Sequence, residues 1–346
     1  PEEYGGRGLT VLHTIIWNSA EQRYSVPRGA LFGIGLRFCA PTLMAYANEE
    51  QKRRFLPPMA RGDEIWCQLF SEPGAGSDLA GIRTRAVRDG DDWVVNGQKI
   101  WTSGAQNSQF GIIVTRSDPS LPKHKGLTYF FIDMTDPAID VRPIRQVSGE
   151  SQFNEVFFSN LRIPDEQRLG EVGEGWQVSL TTLMNERQAI GTGMTTGFWE
   201  ILDFAKRADL GGAPAIADES VRDRLADFYV RTSGLKYTGW RAISAISKGE
   251  MPGPENSIGK VVAGITLQEV ATLALELQDQ GGLLVDPAVA GYDAKFQAMA
   301  LRSLGARIEG GTDEILLNII AERVLGLPGD IRVDRDVPFS DIPSGA

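Results

Sequence analysis

Apolar and polar positions change their spacing twice along this chain. Up to about residue 66 they recur with a helical period. Pro41-Thr42-Leu43-Met44-Ala45-Tyr46 reads as a helix start, because proline's fixed φ suits a first turn. Glu49-Glu50-Gln51-Lys52-Arg53-Arg54-Phe55-Leu56 carries the mixed charged and apolar order of an exposed helix. Pro57-Pro58 is expected to end it. From Cys67 the pattern becomes short and strand-like. Asp92-Trp93-Val94-Val95 leads into an Asn96-Gly97 turn signal, with Gln98-Lys99-Ile100-Trp101 as the returning strand. Phe110-Gly111-Ile112-Ile113-Val114-Thr115, Leu127-Thr128-Tyr129-Phe130-Phe131-Ile132 and Glu155-Val156-Phe157-Phe158 are further β-branched or aromatic runs. Helical spacing then returns at Trp176 to Met184, Val261 to Val270 and Ile315 to Leu325. Asp209 to Asp218, with Gly211-Gly212 and Pro214, reads as a loop between helices.

These segments predict an α+β fold: a helical N-terminal domain (1–66), an antiparallel, β-barrel-like middle domain (67–168) and a C-terminal four-helix-type bundle (169–336). The tail 337–346, with its proline, serine and glycine, is expected to be loosely ordered. No βαβ alternation supports a Rossmann dehydrogenase, and no internal repeat is evident.

Composition narrows the function classes. The 346 residues are 42% hydrophobic and 23% charged, ordinary values for a globular protein. No uninterrupted apolar run approaches the ~20 residues of a membrane helix. The formal net charge of −10 comes with no basic block, which argues against a nucleic-acid partner. It also means that an anionic ligand would need local positive charge or a helix N-terminus. Cys39 and Cys67 form no disulfide framework and fit a cytoplasmic location. His13 and His124 have no metal-ligand spacing and read as surface or loop residues, so no metal site is expected. The chain opens at Pro1-Glu2-Glu3-Tyr4-Gly5-Gly6 without a methionine or a signal peptide, and residues ahead of Pro1 are expected.

The stretch richest in chemistry is Gln68-Leu69-Phe70-Ser71-Glu72-Pro73-Gly74-Ala75-Gly76-Ser77-Asp78. Its glycines would let backbone N–H groups approach an anion, and its serines add hydroxyls. A plain surface turn fits the same residues. The Ser-Glu-Pro-Gly-Ala-Gly-Ser-Asp string closely resembles the flavin loop of acyl-CoA dehydrogenases. Asn96-Gly97-Gln98-Lys99-Ile100-Trp101-Thr102-Ser103 resembles that family's second flavin contact. Pro1-Glu2-Glu3-Tyr4-Gly5-Gly6, Pro41-Thr42-Leu43 with Glu49-Glu50-Gln51, and Gly310-Gly311-Thr312-Asp313-Glu314-Ile315 resemble three more of its motifs, in order along almost the whole chain.

The resemblance implies an FAD enzyme that dehydrogenates an acyl-CoA thioester in lipid β-oxidation and passes electrons to an electron-transfer flavoprotein, as a homo- or hetero-tetramer. It assigns flavin contacts to Gln68, Phe70, Ser71, Gly76, Ser77, Trp101 and Ser103. Thr312 and Glu314 match positions that reach FAD. Gln278, Gly281 and Gly282 match a Gln-x-x-Gly-Gly that meets FAD from a neighbouring subunit. Ser77 and Ser151 fall where members touch coenzyme A.

Many members use the glutamate of a C-terminal Glu-Gly-Thr as the base. Here Glu309-Gly310-Gly311-Thr312 puts glycine at that position, with Glu309 one residue early, a rotation of roughly 100° on a helix. A second branch places its base on an earlier helix before an arginine, and Met184-Asn185-Glu186-Arg187 matches it. The resemblance therefore assigns proton removal to Glu186, with Arg187 facing the coenzyme A and flavin region. Lys206 to Pro214 stands where many members carry an Arg-x-x-Phe-Gly loop that reaches a partner's FAD, and no arginine is assigned there. This leaves three rivals: a non-catalytic or half-site subunit of a hetero-oligomer, an acyl-CoA oxidase, and a flavin monooxygenase on the same fold. Branched, long or bulky acyl groups, including steroid side chains, are the substrates of the branch that Glu186 resembles.

Overall fold

The computed structural model describes residues 1–10, 12, 13, 16, 17, 20, 24, 30–193, 196–249, 253, 254 and 257–343, without the side chains of 30, 31, 187–193 and 246. The chain divides into two compact units, Pro1–Glu186 with Asp330–Ala346, and Arg187–Gly329.

After a 3-10 turn at Glu2–Tyr4, the first unit carries a continuous helical run: α1 (Ala30–Ile34), a π-helical turn at Gly35–Cys39 and α2 (Ala40–Tyr46). Pro41 lies in the first turn of α2, just past the wide turn, where crowding from its ring is relieved. In α3 (Glu49–Arg61) Asn48 Oδ1 accepts from Gln51 N at 2.9 Å, and Gln51 Oε1 accepts from Asn48 N at 3.0 Å, a reciprocal cap. Contrary to the sequence expectation, α3 runs through Pro57-Pro58 and ends at Gly62, whose φ of 77° only glycine adopts freely. The two missing donors fall opposite Arg53 and Arg54, both solvent-exposed, while Leu56 and Met59 are buried and hold the helix to the core.

The strands are β1 (Trp66–Leu69), β2 (Arg85–Asp89), β3 (Asp92–Ser103), β4 (Phe110–Arg116), β5 (Leu127–Asp133), β6 (Ile139–Ile144), β7 (Phe153–Pro164) and β8 (Arg168–Leu169). They form one sheet in the order β6-β7-β3-β2-β4-β5-β8, with β1 also on β4. Most pairings are antiparallel; β1–β4 and β2–β4 are parallel. The expected turn at Asn96-Gly97 is absent, and β3 is continuous across it. The hairpin closes instead between Asp89 and Asp92, with Gly90 at φ 64°. Gly97 serves a different need: a Cβ there would lie 2.5 Å from Thr84 Oγ1 and 2.7 Å from its Cα.

The tail also departs from expectation over its described part. Phe339 is buried, with Arg116 3.8 Å and Arg83 5.0 Å from its ring centre. Its N–H donates to Leu121 O at 2.9 Å, and Asp334 pairs with Lys123 at 2.6 Å. One large apolar side chain and its neighbouring backbone bonds dock residues 337–343, whose composition reads as loose, and the Asp334 ion pair fastens the chain just ahead of them.

The division between units falls within α4 (Gly175–Gly193). The second unit continues with α5 (Phe198–Ala205), a hairpin of β9 (Asp209–Leu210) and β10 (Ala213–Pro214), α6 (Glu219–Ser247), α7 (Ser257–Glu276), α8 (Lys295–Ala306) and α9 (Asp313–Arg323). Phe198, Ile201, Phe204, Leu225, Phe228, Val270, Leu273 and Phe296 form its core. By length and composition α7 could cross a membrane, but 56% of its apolar window is buried, as for a central bundle helix.

Candidate active site

β1 leads from a buried strand into the glycine-rich loop. Gln68 and Phe70 point the same way by strand alternation. Phe70 is buried and meets Tyr129 edge-on at 5.8 Å. Beneath the loop, Lys99 Nζ donates to Phe70 O and to Glu72 Oε1, both at 2.9 Å, from a fully buried position. Glu72 also accepts from the backbone N–H of Arg83 at 2.6 Å and of Thr84 at 2.9 Å. Burial raises the Glu72 pKa, but Lys99 and these donors outweigh it and hold the carboxyl below its ordinary range. With its base pinned, the loop presents Pro73, Gly74, Gly76, Ser77 and Asp78 to solvent.

Ile100 N donates to Ser71 O at 2.8 Å, which brings β3 beside the loop. β3 bulges between Lys99 and Thr102, where three residue steps oppose two on β7. Trp101 sits in the bulge at φ 60°, a conformation that costs a bulky residue about 1–3 kcal/mol. The bulge turns its indole outward, leaving it 56% exposed. The hydroxyls of Ser71, Ser77 and Ser103 make no side-chain hydrogen bond among the described residues. An exposed indole flanked by unpaired hydroxyls suits a flat polar ligand such as the flavin ring.

α4 brings a carboxylate to the same region. Val178, Thr182 and Glu186 recur every four residues and share one helix face. Val178 and Thr182 are fully buried. The Thr182 hydroxyl lies 2.9 Å from the Tyr129 hydroxyl and 2.8 Å from that of Thr42. One turn on, Gln68 Nε2 donates to Glu186 Oε2 at 3.0 Å. Burial holds the Tyr129 phenol well above its ordinary pKa, and the nearby Glu186 charge adds to this. Tyr129 therefore stays a neutral anchor. The side chain of Arg187 lies outside the described residues.

The first unit thus gathers Gln68, Phe70, Ser71 and Glu186, with Trp101 and Ser103 on the adjoining strand. Ser151 is exposed near the end of that strand, where its carbonyl accepts from Gln106 Nε2 at 3.2 Å. The other sequence-derived positions lie in the second unit. Thr312 caps α9, its hydroxyl accepting from Ile315 N at 3.2 Å, and Glu314 is exposed in the first turn. Lys260 donates to Gly311 O at 2.6 Å. Glu309 is bound by Arg302 at 2.5 and 2.7 Å. The Gln278 amide donates to Ala274 O at 3.0 Å and accepts from Gln297 at 3.2 Å. Gly281 and Gly282 form a 3-10 turn, and a Cβ on Gly282 would strike Leu275 O at 2.6 Å.

Sequence reading missed Lys99, Glu72, Tyr129 and Thr182. The signal for Lys99 was a lysine at an inward position of a strand, which must find a partner. Arg207-Ala208-Asp209-Leu210-Gly211 was also missed: it has the Arg-x-x-Phe-Gly spacing with leucine for phenylalanine. Arg207 is exposed, ion-paired with Asp203 and adjacent to Tyr292, at the foot of the β9–β10 hairpin.

The acyl-CoA dehydrogenase N-terminal, middle and C-terminal domains match residues 1–63, 67–161 and 173–325. Acyl-CoA dehydrogenase IpdE1 of Mycobacterium tuberculosis is 35% identical over 339 residues, covering 96% of this chain and 84% of that protein. Acyl-CoA dehydrogenase FadE34 of the same organism is 42% identical over 293 residues, covering 84% of this chain; the chain spans only 39% of that protein. Among solved structures, the Tcur3481-Tcur3483 steroid ACAD superposes with a TM-score of 0.85 at 29% identity, over 95% of this chain and 85% of that one. The ChsE4-ChsE5 complex of Mycobacterium tuberculosis gives 0.81 at 33% identity, over 95% and 86%.

Proposed function

The chain belongs to the FAD-dependent acyl-CoA dehydrogenase family, and we propose that it dehydrogenates an acyl-CoA thioester between its α and β carbons, with Glu186 as the base. The observation that carries this reading is the carboxylate of Glu186, held by Gln68 beside the Phe70–Ser71 loop. Bound FAD would supply the acceptor for the β-hydride. Phe70, Ser71, Trp101 and Ser103 would hold the ring and exclude water, while Gly76 and Ser77 would approach the phosphates. Thr312, Glu314, Gln278, Gly281 and Gly282 are proposed for the remainder of FAD, and Arg207 for the arginine that reaches a partner's cofactor. Ser77, Ser151 and Arg187 are proposed for coenzyme A. Glu186 takes the α-proton onto its carboxylate, and Thr182, fixed to Tyr129 and Thr42, holds its helix turn in place. Electrons then pass to an electron-transfer flavoprotein. Similarity to a protein described as a steroid ACAD supports a bulky acyl group.

A second reading is a half-site subunit of a hetero-oligomer. Two similar solved structures are each described by a pair of proteins, and FadE34 is more than twice as long as the stretch it shares with this chain. The visible spectrum of the purified chain with and without FAD separates the two: a flavin spectrum from the lone chain favours self-sufficiency. Glu186→Gln tests the base. It should keep flavin bound yet lose flavin bleaching by thioester, and normal bleaching would refute the assignment.

A further inference from the structure

We propose that Gln68 is a positioning residue for Glu186, which orients that carboxylate and favours its ionised form; this rests on Glu186 being the base. The hydrogen bond joins two independently anchored elements. Gln68 is paired in register with Ile112 on β4, between the fully buried Cys67 and Leu69. Glu186 stands one turn beyond Thr182, itself tied to Tyr129 on β5 and Thr42 on α2. Both ends are fixed by buried contacts, so the 3.0 Å bond from Gln68 Nε2 to Oε2 restrains the carboxylate's orientation.

The donor type matters. A hydrogen bond to the charged form favours ionisation, countering the partial burial of Glu186. A cation in place of Gln68 would lower the carboxylate pKa by about one to three units and weaken the base. A neutral amide orients the group with little loss of basicity. A leucine would remove one donor from a half-buried carboxylate, which would then take up a proton at higher pH. A glutamate would set two carboxylates at hydrogen-bond distance, which share a proton and raise one pKa further.

The test compares Gln68→Leu, Gln68→Glu and Glu186→Gln as FAD-loaded proteins. Two readouts are followed against pH: kcat and KM for thioester oxidation with an artificial electron acceptor, and exchange of the thioester α-proton with D2O by NMR. Gln68→Leu should move the acid limb of kcat/KM and of exchange upward by about one unit. It should lower kcat about tenfold or more with KM within about twofold, and leave the melting temperature unchanged. Gln68→Glu should move the limb further in the same direction. Unshifted limbs in both variants, with Glu186→Gln inactive, would overturn the role of Gln68 alone. Loss of flavin or of melting temperature in both would make Gln68 a structural or cofactor-holding residue and also overturn it. Undiminished exchange in Glu186→Gln would instead remove the base itself, and this inference with it.

Discussion

Lys99 and Glu72 form an ion pair 2.9 Å long with no exposed lysine surface, and the same ammonium carries the carbonyl of Phe70. The pair anchors the start of the glycine-rich loop from below. Lys99→Met should destabilise the first unit by about 3–5 kcal/mol, because it strands a buried carboxylate. Urea unfolding measures this. The pH dependence has a definite sign. The folded Glu72 pKa lies below its ordinary 4.5, so its stabilisation is complete above that value and is lost as pH falls through the lower, folded one. Stability should decline in that acid range, less steeply in Lys99→Met. An unchanged urea midpoint in the variant would show the pair to be dispensable.

The order of elements was legible because period is a local property, and α+β followed from it. What escaped was decided by tertiary partners. Asn96-Gly97 has the residues of a tight turn, yet Gly97 is there because a Cβ would fall 2.5 Å from the Oγ1 of Thr84, a neighbour thirteen positions back. Pro57-Pro58 has the residues of a helix stop, yet exposure of Arg53 and Arg54 makes the lost bonds tolerable. At the site, Phe70, Ser71 and Trp101 stood out through contiguous motifs. Tyr129 and Thr182 lie 53 positions apart and meet through one hydrogen bond that no spacing announces.

Phe339 against Arg116 should be the main fastening of the C-terminal segment. Arg116 is itself spent on carbonyls of Ala80 at 2.5 Å and Lys123 at 2.7 Å, so its flat face is free for the ring. Phe339→Ala should cost about 3–5 kcal/mol as a large buried ring is removed. Phe339→Leu should cost less, losing mainly the cation–π part of about 1 kcal/mol. Amide hydrogen exchange at Phe339 and Ser340 should quicken in Phe339→Ala, because their N–H groups donate to Leu121 O and Pro119 O, and exchange over 119–126 reports whether that loop loosens with them. Unaltered exchange would mean that the tail docks without bracing the loop.

Two glycines of the proposed flavin region should respond oppositely to alanine. Gly97 has φ 153° and no room, so Gly97→Ala should lower stability by about 1–3 kcal/mol or more through strain against Thr84. Gly76 lies outside the left-handed region, and a Cβ there would meet nothing within 4 Å. The chain's own packing gives no reason for glycine at 76, so Gly76→Ala should leave stability within about 0.5 kcal/mol. If the loop's N–H groups approach the FAD phosphates, the added methyl stands between backbone and ligand, and the Kd for FAD should rise about tenfold or more. Thermal unfolding of the apoprotein and FAD titration followed by flavin fluorescence keep the two effects apart. A Gly76→Ala protein that binds FAD as tightly as the parent would mean that residue 76 makes no close approach to the cofactor, and the anion-cradling role of this loop would have to move to its neighbours.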